Sequence, residues 1–303
     1  MLLWAGPLTA QAAAPGPAAG FAVLSAAPGN GGSVTCTGST TNSTINGNVG
    51  SSGVVVPPTN CTINGTTTAP VSAGVVADFT STRSALAGVP CDHTLTLNLT
   101  QTLPPGVYCS AGYATATDVT LTLSGPANGI WLFKIGPSDP TAYLTGTRFS
   151  VVMAGGNACN VNWWVAAAAT LTSGAAPMPF SGNILAGAGA TVTGTSGSTS
   201  LLTLKGRVWA GAGVTVTDST INGCASAISV PKTKCKSGTS TDTDENADQS
   251  KDSSKSDSSN NGSDEQGNND TNCKSSDSDE DKTDKPDSNK DDSNKDDSKR
   301  SGD

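Results

Sequence analysis

Threonine recurs in this chain at a spacing that can build a surface. Five short steps set two residues on either side of an apolar one: Thr115-Ala116-Thr117, Tyr143-Leu144-Thr145, Thr170-Leu171-Thr172, Thr191-Val192-Thr193 and Thr215-Val216-Thr217. A period of two is that of a β-strand, so the middle residue faces inward and the flanking pair faces solvent. The first residues of the steps follow at intervals of 28, 27, 21 and 24. Recurrence every ~20–30 residues suggests a solenoid, in which each step is one rung of a stacked parallel sheet. Rungs would lie about 4.8 Å apart and the outward pair of each rung about 6.7 Å apart. The result is a regular, uncharged lattice of hydroxyls and methyls, a surface suited to binding and not to bond making.

Groups for catalysis are scarce. Residues 1–231 hold five acidic side chains, Asp78, Asp92, Asp118, Asp139 and Asp218, each isolated in the sequence. Polysaccharide hydrolases and lyases built on parallel β-helices need paired carboxylates, a basic residue at a cleft, or calcium ligands. Asp92-His93 has no identifiable nucleophile and reads as a surface turn, so no catalytic residue is assigned. With one histidine and no Cys-x-x-Cys pair, no metal site is expected. Neither a phosphate-binding loop nor a dinucleotide fingerprint is present. Gly187-Ala188-Gly189 and Gly211-Ala212-Gly213 read as solenoid corners.

The elements that must position the threonines repeat with them. A more apolar strand precedes most steps: Ile130-Trp131-Leu132-Phe133, Val161-Asn162-Trp163-Trp164, Asn183-Ile184-Leu185-Ala186 and Arg207-Val208-Trp209-Ala210. Such strands are expected to be covered on both faces. A third strand follows, as in Phe149-Ser150-Val151-Val152-Met153 and Leu201-Leu202-Thr203-Leu204. Three strands per coil make a triangular solenoid. Clean alternation also predicts strands at 94–100 and 120–124. Residues 75–87 are the one helical stretch of the body, with Val75, Val76, Phe79 and Leu86 at 3–4 spacing and Gly88 and Pro90 ending it. It is expected to cover the apolar strand face. Thr-Ile-Asn-Gly occurs at 44–47, 62–65 and 220–223. A shared strand-plus-turn motif points to a shared place in the coil, with the N-terminal copies beside the C-terminal one.

Composition divides the 303 residues into a body and a tail. The body has five basic residues against its five acidic ones, and the whole net charge of −8 falls after Pro231. A neutral body gives no electrostatic case for nucleic acid or an anionic membrane, and no apolar run reaches transmembrane length. Residues 1–19 read as a truncated leader, 20–231 as the solenoid, and 232–303, rich in Ser, Asp, Lys and Asn, as a disordered tail. Eight cysteines suggest disulfides and an oxidising compartment, with buried free thiols as the alternative. Cys273, in the tail, is a candidate for an intermolecular disulfide in an otherwise monomeric protein.

Several segments, in order and spacing, carry a resemblance to a known family. They are Phe21-Ala22-Val23-Leu24, Thr44-Ile45-Asn46-Gly47, Pro105-Gly106-Val107-Tyr108, Ile130-Trp131-Leu132-Phe133-Lys134-Ile135, Ala158-Cys159-Asn160-Val161 with Trp163-Trp164-Val165, Phe180-Ser181-Gly182-Asn183-Ile184-Leu185-Ala186, and Gly206-Arg207-Val208-Trp209-Ala210 before Thr215. Over about residues 20–224 the chain resembles the microbial ice-binding proteins. The resemblance implies an all-β fold: a right-handed, irregular parallel β-helix with one flanking α-helix. It also implies secretion, no cofactor, and adsorption to ice crystals through one flat face. The ice-facing residues are then Thr115, Thr117, Thr145, Thr170, Thr172, Thr191, Thr193, Thr215 and Thr217, with the three C-terminal rungs the firmest. The helix stretch is shorter than is usual in that family, and the cysteines are more numerous than in many members. The competing reading is a secreted adhesion module that binds glycans through Trp163, Trp164 or Trp209.

Overall fold

The computed structural model describes residues 10–11, 16–39, 42–195 and 202–231. The expected tail, Cys235, Cys273 and most of the expected leader lie outside them. Parallel strands stack into three sides around one core. The first side is a nine-stranded sheet. It runs from Thr67–Thr68 at one end through Asn48–Ser51, Phe21–Ser25, Val208–Ala210, Asn183–Ala186, Val161–Val165, Trp131–Ile135 and Gly106–Ser110 to His93–Thr94. The second is the seven-stranded threonine sheet. The third is divided into sheets of three and five strands. Two N-terminal coils therefore sit on the C-terminal end of the stack. The three Thr-Ile-Asn-Gly copies meet there, with Ile221 beside Ile45 and Ile45 beside Ile63. Asn46 donates to Asn222 and Asn64 to Asn46, each at 2.8 Å.

Because the chain starts at that end and must resume at the other, it has to travel back along the stack. The α-helix Ala73–Ala87 makes this return. At 1.5 Å per residue its length is about 22 Å, enough to pass four or five rungs. Val75, Phe79 and Leu86 are buried against the first side, where Phe79 meets Trp209 edge-on at 6.5 Å. This is why that side's strands are apolar on both faces. The helix begins two residues earlier than the sequence predicts. Lys134, buried in the first side, donates to the carbonyls of Ala87 and Val89 at 2.6 and 2.7 Å. A cation there satisfies orphan carbonyls at the helix C-terminus, and burial pushes the lysine pKa down.

Inward side chains stack from rung to rung. Tyr108, Phe133 and Trp163 form one aromatic column, with centroids 5.5 and 4.1 Å apart, and Phe149 and Phe180 pack on Trp163. Burial pushes the Tyr108 phenol up to about 12, with Asp92 as a smaller contribution. Three disulfides staple the coils: Cys36 to Cys61, Cys91 to Cys109 and Cys159 to Cys224. At the coil ends Asn162, Asn183 and Arg207 are buried. Arg207 donates to Asn183 and Ala19 at 3.3 Å and also to the Ser226 carbonyl, joining segments from both ends of the body. Ala10–Gln11 pairs antiparallel with Val230–Pro231.

One expected strand is absent. Only His93–Thr94 of 94–100 and its neighbour join a sheet. This is the outermost coil, with a partner on one side alone, so alternation there lacks a second ladder to fix it. Leu95 and Leu97 instead turn inward and close the open end of the core.

Removing the centre of the aromatic column is the sharpest test of this packing. Trp163→Ala should destabilise the protein by about 3–5 kcal/mol, read as a lowered urea midpoint with little change in slope.

Candidate functional site: the threonine face

The threonine sheet stacks Ala114–Thr117, Leu144–Thr147, Ala169–Thr172, Ala190–Thr193, Val214–Thr217, Ser33–Thr37 and Val54–Val55 in that order. Its register aligns Thr115, Thr145, Thr170, Thr191, Thr215 and Thr35 in one column. Thr117, Thr147, Thr172, Thr193, Thr217 and Thr37 align in a second. Six rungs at about 4.8 Å make a strip ~24 Å long, with the two columns ~6.7 Å apart. Alternate residues point inward and are buried: Ala116, Gly146, Leu171, Val192, Val216 and Cys36. The outward threonines are partly or fully exposed. At the last pair the Thr37 and Thr217 hydroxyls lie 3.2 Å apart and share a hydrogen bond.

All nine threonines expected from the sequence are on this face. The second rung is shifted, however. Thr145 pairs with Thr115 and Thr147 with Thr117, so the step is Thr145-Gly146-Thr147 and not Tyr143-Leu144-Thr145. Leu144 is still buried, one position earlier, beside Ala114 and Ala169. Glycine suits the inward position because Leu171 of the next rung occupies the space beside it. A Cβ at 146 would lie 2.7 Å from Leu171 Cδ2 and 3.1 Å from Phe149. Thr147, Thr35 and Thr37 are therefore additions to the face. Thr35-Cys36-Thr37 has the same outward-inward-outward pattern, with the disulfide cysteine as its inward residue.

Both borders of the face are defined. Along one run Tyr113, Tyr143, Ala168, Gly189, Gly213 and Ser33, the residues just before each rung. The exposed Tyr113 and Tyr143 stack with centroids 5.5 Å apart, forming a raised edge at the first two rungs. Along the other border the chain turns into the third side. Asp118, Arg148 and Asp218 adopt left-handed backbone there, with φ of 57°, 51° and 46°. Aspartate tolerates that region better than most residues. Arg148 forms an ion pair with Asp118. Its hydrogen bond holds the Asp118 carboxyl below the usual carboxylate range, and its charge adds to that effect. Asp218 is buried and accepts from the Ser39 amide at 2.7 Å and from the Ser39 hydroxyl. The Ser173 hydroxyl accepts from the Thr195 amide at 3.0 Å. These bonds fix the corners, and the one exposed charge pair neutralises itself.

Other expected sites read differently. Trp163 and Trp209 are buried in the core and under the helix, and Trp164 is buried with its indole N–H on the Arg83 carbonyl at 3.1 Å. None offers an open ring for a sugar. His93 stacks on Tyr108 with centroids 4.9 Å apart. No helix among the described residues is long and apolar enough to cross a membrane.

A family model described as ice-binding-like matches residues 30–222. An ice-binding protein from an Antarctic biological consortium has 27% identity to this chain and a TM-score of 0.53, covering 72% of this chain and 95% of its own. An ice-binding protein from an Antarctic bacterium of the Flavobacteriaceae has 28% identity and a TM-score of 0.56, over 70% of this chain. The match spans 47% of that bacterial protein. An ice-binding protein of an Arctic yeast, at 21% identity and a TM-score of 0.52, shares the fold. No curated protein matches the chain. The chain belongs to the ice-binding-like family.

The close fit of Gly146 under Leu171 yields a test of the shifted rung. Gly146→Val should cost about 1–3 kcal/mol by overpacking. Thr147→Val, on the outward side, should stay within ~0.5 kcal/mol in the same urea titration.

Proposed function

We propose that this member of the ice-binding-like family adsorbs to ice through its threonine face and so inhibits ice growth and recrystallisation. The observation that carries the reading is the pair of straight threonine columns running over six rungs. Each threonine offers a methyl that orders neighbouring water and a hydroxyl that anchors it. Held on a laddered sheet over a close-packed core, the columns lose little freedom when a crystal plane forms against them. Water fixed between the columns then belongs to the crystal as much as to the protein. A growing ice front pinned at such molecules must bulge between them, and a curved front grows less readily.

The outward rung positions carry no charge, so no side chain there holds water in an ionic shell. The protein works without catalysis or cofactor, as a monomer outside the cell. The disulfides support that location, since such bonds persist in oxidising compartments.

The experiment is thermal hysteresis with recrystallisation assays on the full chain. Activity is expected for the wild type, with a several-fold loss in Thr191→Tyr and in Thr193→Tyr, whose rings break the flat strip. Thr122→Tyr, outward on the third side, should leave it unchanged. Equal activity in all four proteins would remove the threonine face from consideration.

The face also predicts independence of pH. Threonine does not titrate, and the neighbouring Asp118 carboxyl, held low by Arg148, stays ionised as the pH falls toward the ordinary carboxylate range. Hysteresis should therefore be flat between about pH 5 and pH 9. A titration with a midpoint inside that window would place an ionisable group in the contact.

A further inference from the structure

A second surface lies away from the threonine columns, where the helix meets the corner of the first side. A cleft of about 370 Å³ opens there, lined among others by Phe79, Thr80, Arg83, Ser84, Trp164 and Gly187. That is within the ~300–1,000 Å³ range of small-ligand clefts. Arg83 dominates its chemistry. The guanidinium carbon lies 4.9 Å from the Trp164 ring centre and 5.9 Å from that of Phe79. Nη1 donates to the carbonyl of Val165 at 3.0 Å and to that of Leu185. Nε and Nη2 donate to no acceptor among the described residues, and no carboxylate there pairs with the charge.

The used and unused donors divide by geometry. Nε–H and Nη2–H form one fork of a guanidinium, the fork that takes a carboxylate by two parallel hydrogen bonds. The protein uses the opposite nitrogen to fasten the helix to the sheet and leaves this fork without a partner. Gly187 lies beside the fork: a Cβ there would be 2.8 Å from Arg83 Nη2 and only 1.9 Å from the Ala166 carbonyl oxygen, so no side chain from this position covers the fork. A partly buried cation without a counter-charge is costly. Burial alone lowers the Arg83 pKa to about 10, with no carboxylate opposing the shift. The volume exceeds what a bare carboxylate needs, and the exposed Thr80 and Ser84 line it, the Thr80 hydroxyl donating to the Val76 carbonyl at 3.0 Å and so free to accept.

We propose that this cleft binds a hydroxyl-rich carboxylate, a sugar acid such as a uronate, with its carboxylate on the Nε–Nη2 fork of Arg83 and its hydroxyls toward Thr80 and Ser84. The site is independent of ice adsorption. Arg83 holds the ligand's charge, Phe79 and Trp164 hold Arg83 flat, and Gly187 gives access.

The test is a titration of the full-length protein with sodium glucuronate at constant ionic strength, followed by the 1H–15N resonance of the Trp164 indole N–H. That group is bonded to the Arg83 carbonyl and so reports on the helix turn that carries the site. Saturable shifts are expected with a Kd on the order of 1 mM, against none with glucose. Arg83→Gln should weaken binding at least roughly tenfold. Because Arg83 also fastens the helix, Ser84→Asp serves as a second variant. It lines the same cleft from an exposed helix position, and a carboxylate added there repels the ligand's own, so it should abolish the response with the fold intact. Equal shifts with glucose, or an unchanged glucuronate response in Ser84→Asp, would overturn the proposal.

Discussion

The parallel ladder between Val214–Thr217 and Ser33–Thr37 is the contact on which the rest of this structure depends. It joins residues about 180 positions apart in the chain. Through it the N-terminal coils continue the three sides laid down by the C-terminal coils, and the threonine columns cross the junction without a break. Its consequences spread outward. A chain that starts and ends at the same end of the stack must return along one side, and the helix is that return. The Cys36–Cys61 disulfide ties the joined rung to the next N-terminal coil, at the opposite end of the stack from His93. Arg207, bridging Ala19 and Ser226, ties the first coil to the segment after the last. Closing so long a loop costs entropy before any contact offsets it. The staples sit where that cost is met.

Flatness outside follows from complementarity inside. Rungs keep an even spacing only if inward side chains sum to a constant volume from one coil to the next. The structure meets this by pairing small with large, as with Gly146 beneath Leu171, and by stacking Tyr108, Phe133 and Trp163 in one column. The same residues that exclude water from the core thus set the positions of hydroxyls on the surface. A surface of this kind needs no charge and no mobile part. Its selectivity is that of a fixed spacing, in contrast to the cleft at Arg83, where one unmatched cation sets what can enter.

Much of this was legible in the sequence. Period-two threonine steps, apolar strands ahead of them and three Thr-Ile-Asn-Gly copies were enough to place the sides, the helix and the joining of the two ends. The losses have specific causes. Reading the second rung from Leu144 follows the apolar residue between Tyr143 and Thr145, whereas a glycine, which carries no apolar signal, is the inward residue there. Thr35-Cys36-Thr37 has the pattern with a cysteine in the inward place of the aliphatic residue, and it lies about 180 positions from the rung it joins. Alternation at 94–100 promised a full strand, yet an end coil lacks one of its two neighbours. Arg83 and Gly187 are about a hundred positions apart, and only the path of the returning helix brings them together.

The most direct measurement is thermal hysteresis of the full chain carrying Thr35→Tyr. Thr35 lies in the N-terminal coil but continues the column of Thr215 and Thr191 across the junction. If the columns form one continuous lattice, this substitution lowers hysteresis as strongly as a tyrosine in the C-terminal rungs does. Undiminished hysteresis in a folded Thr35→Tyr protein would contradict that account and confine ice contact to the C-terminal coils.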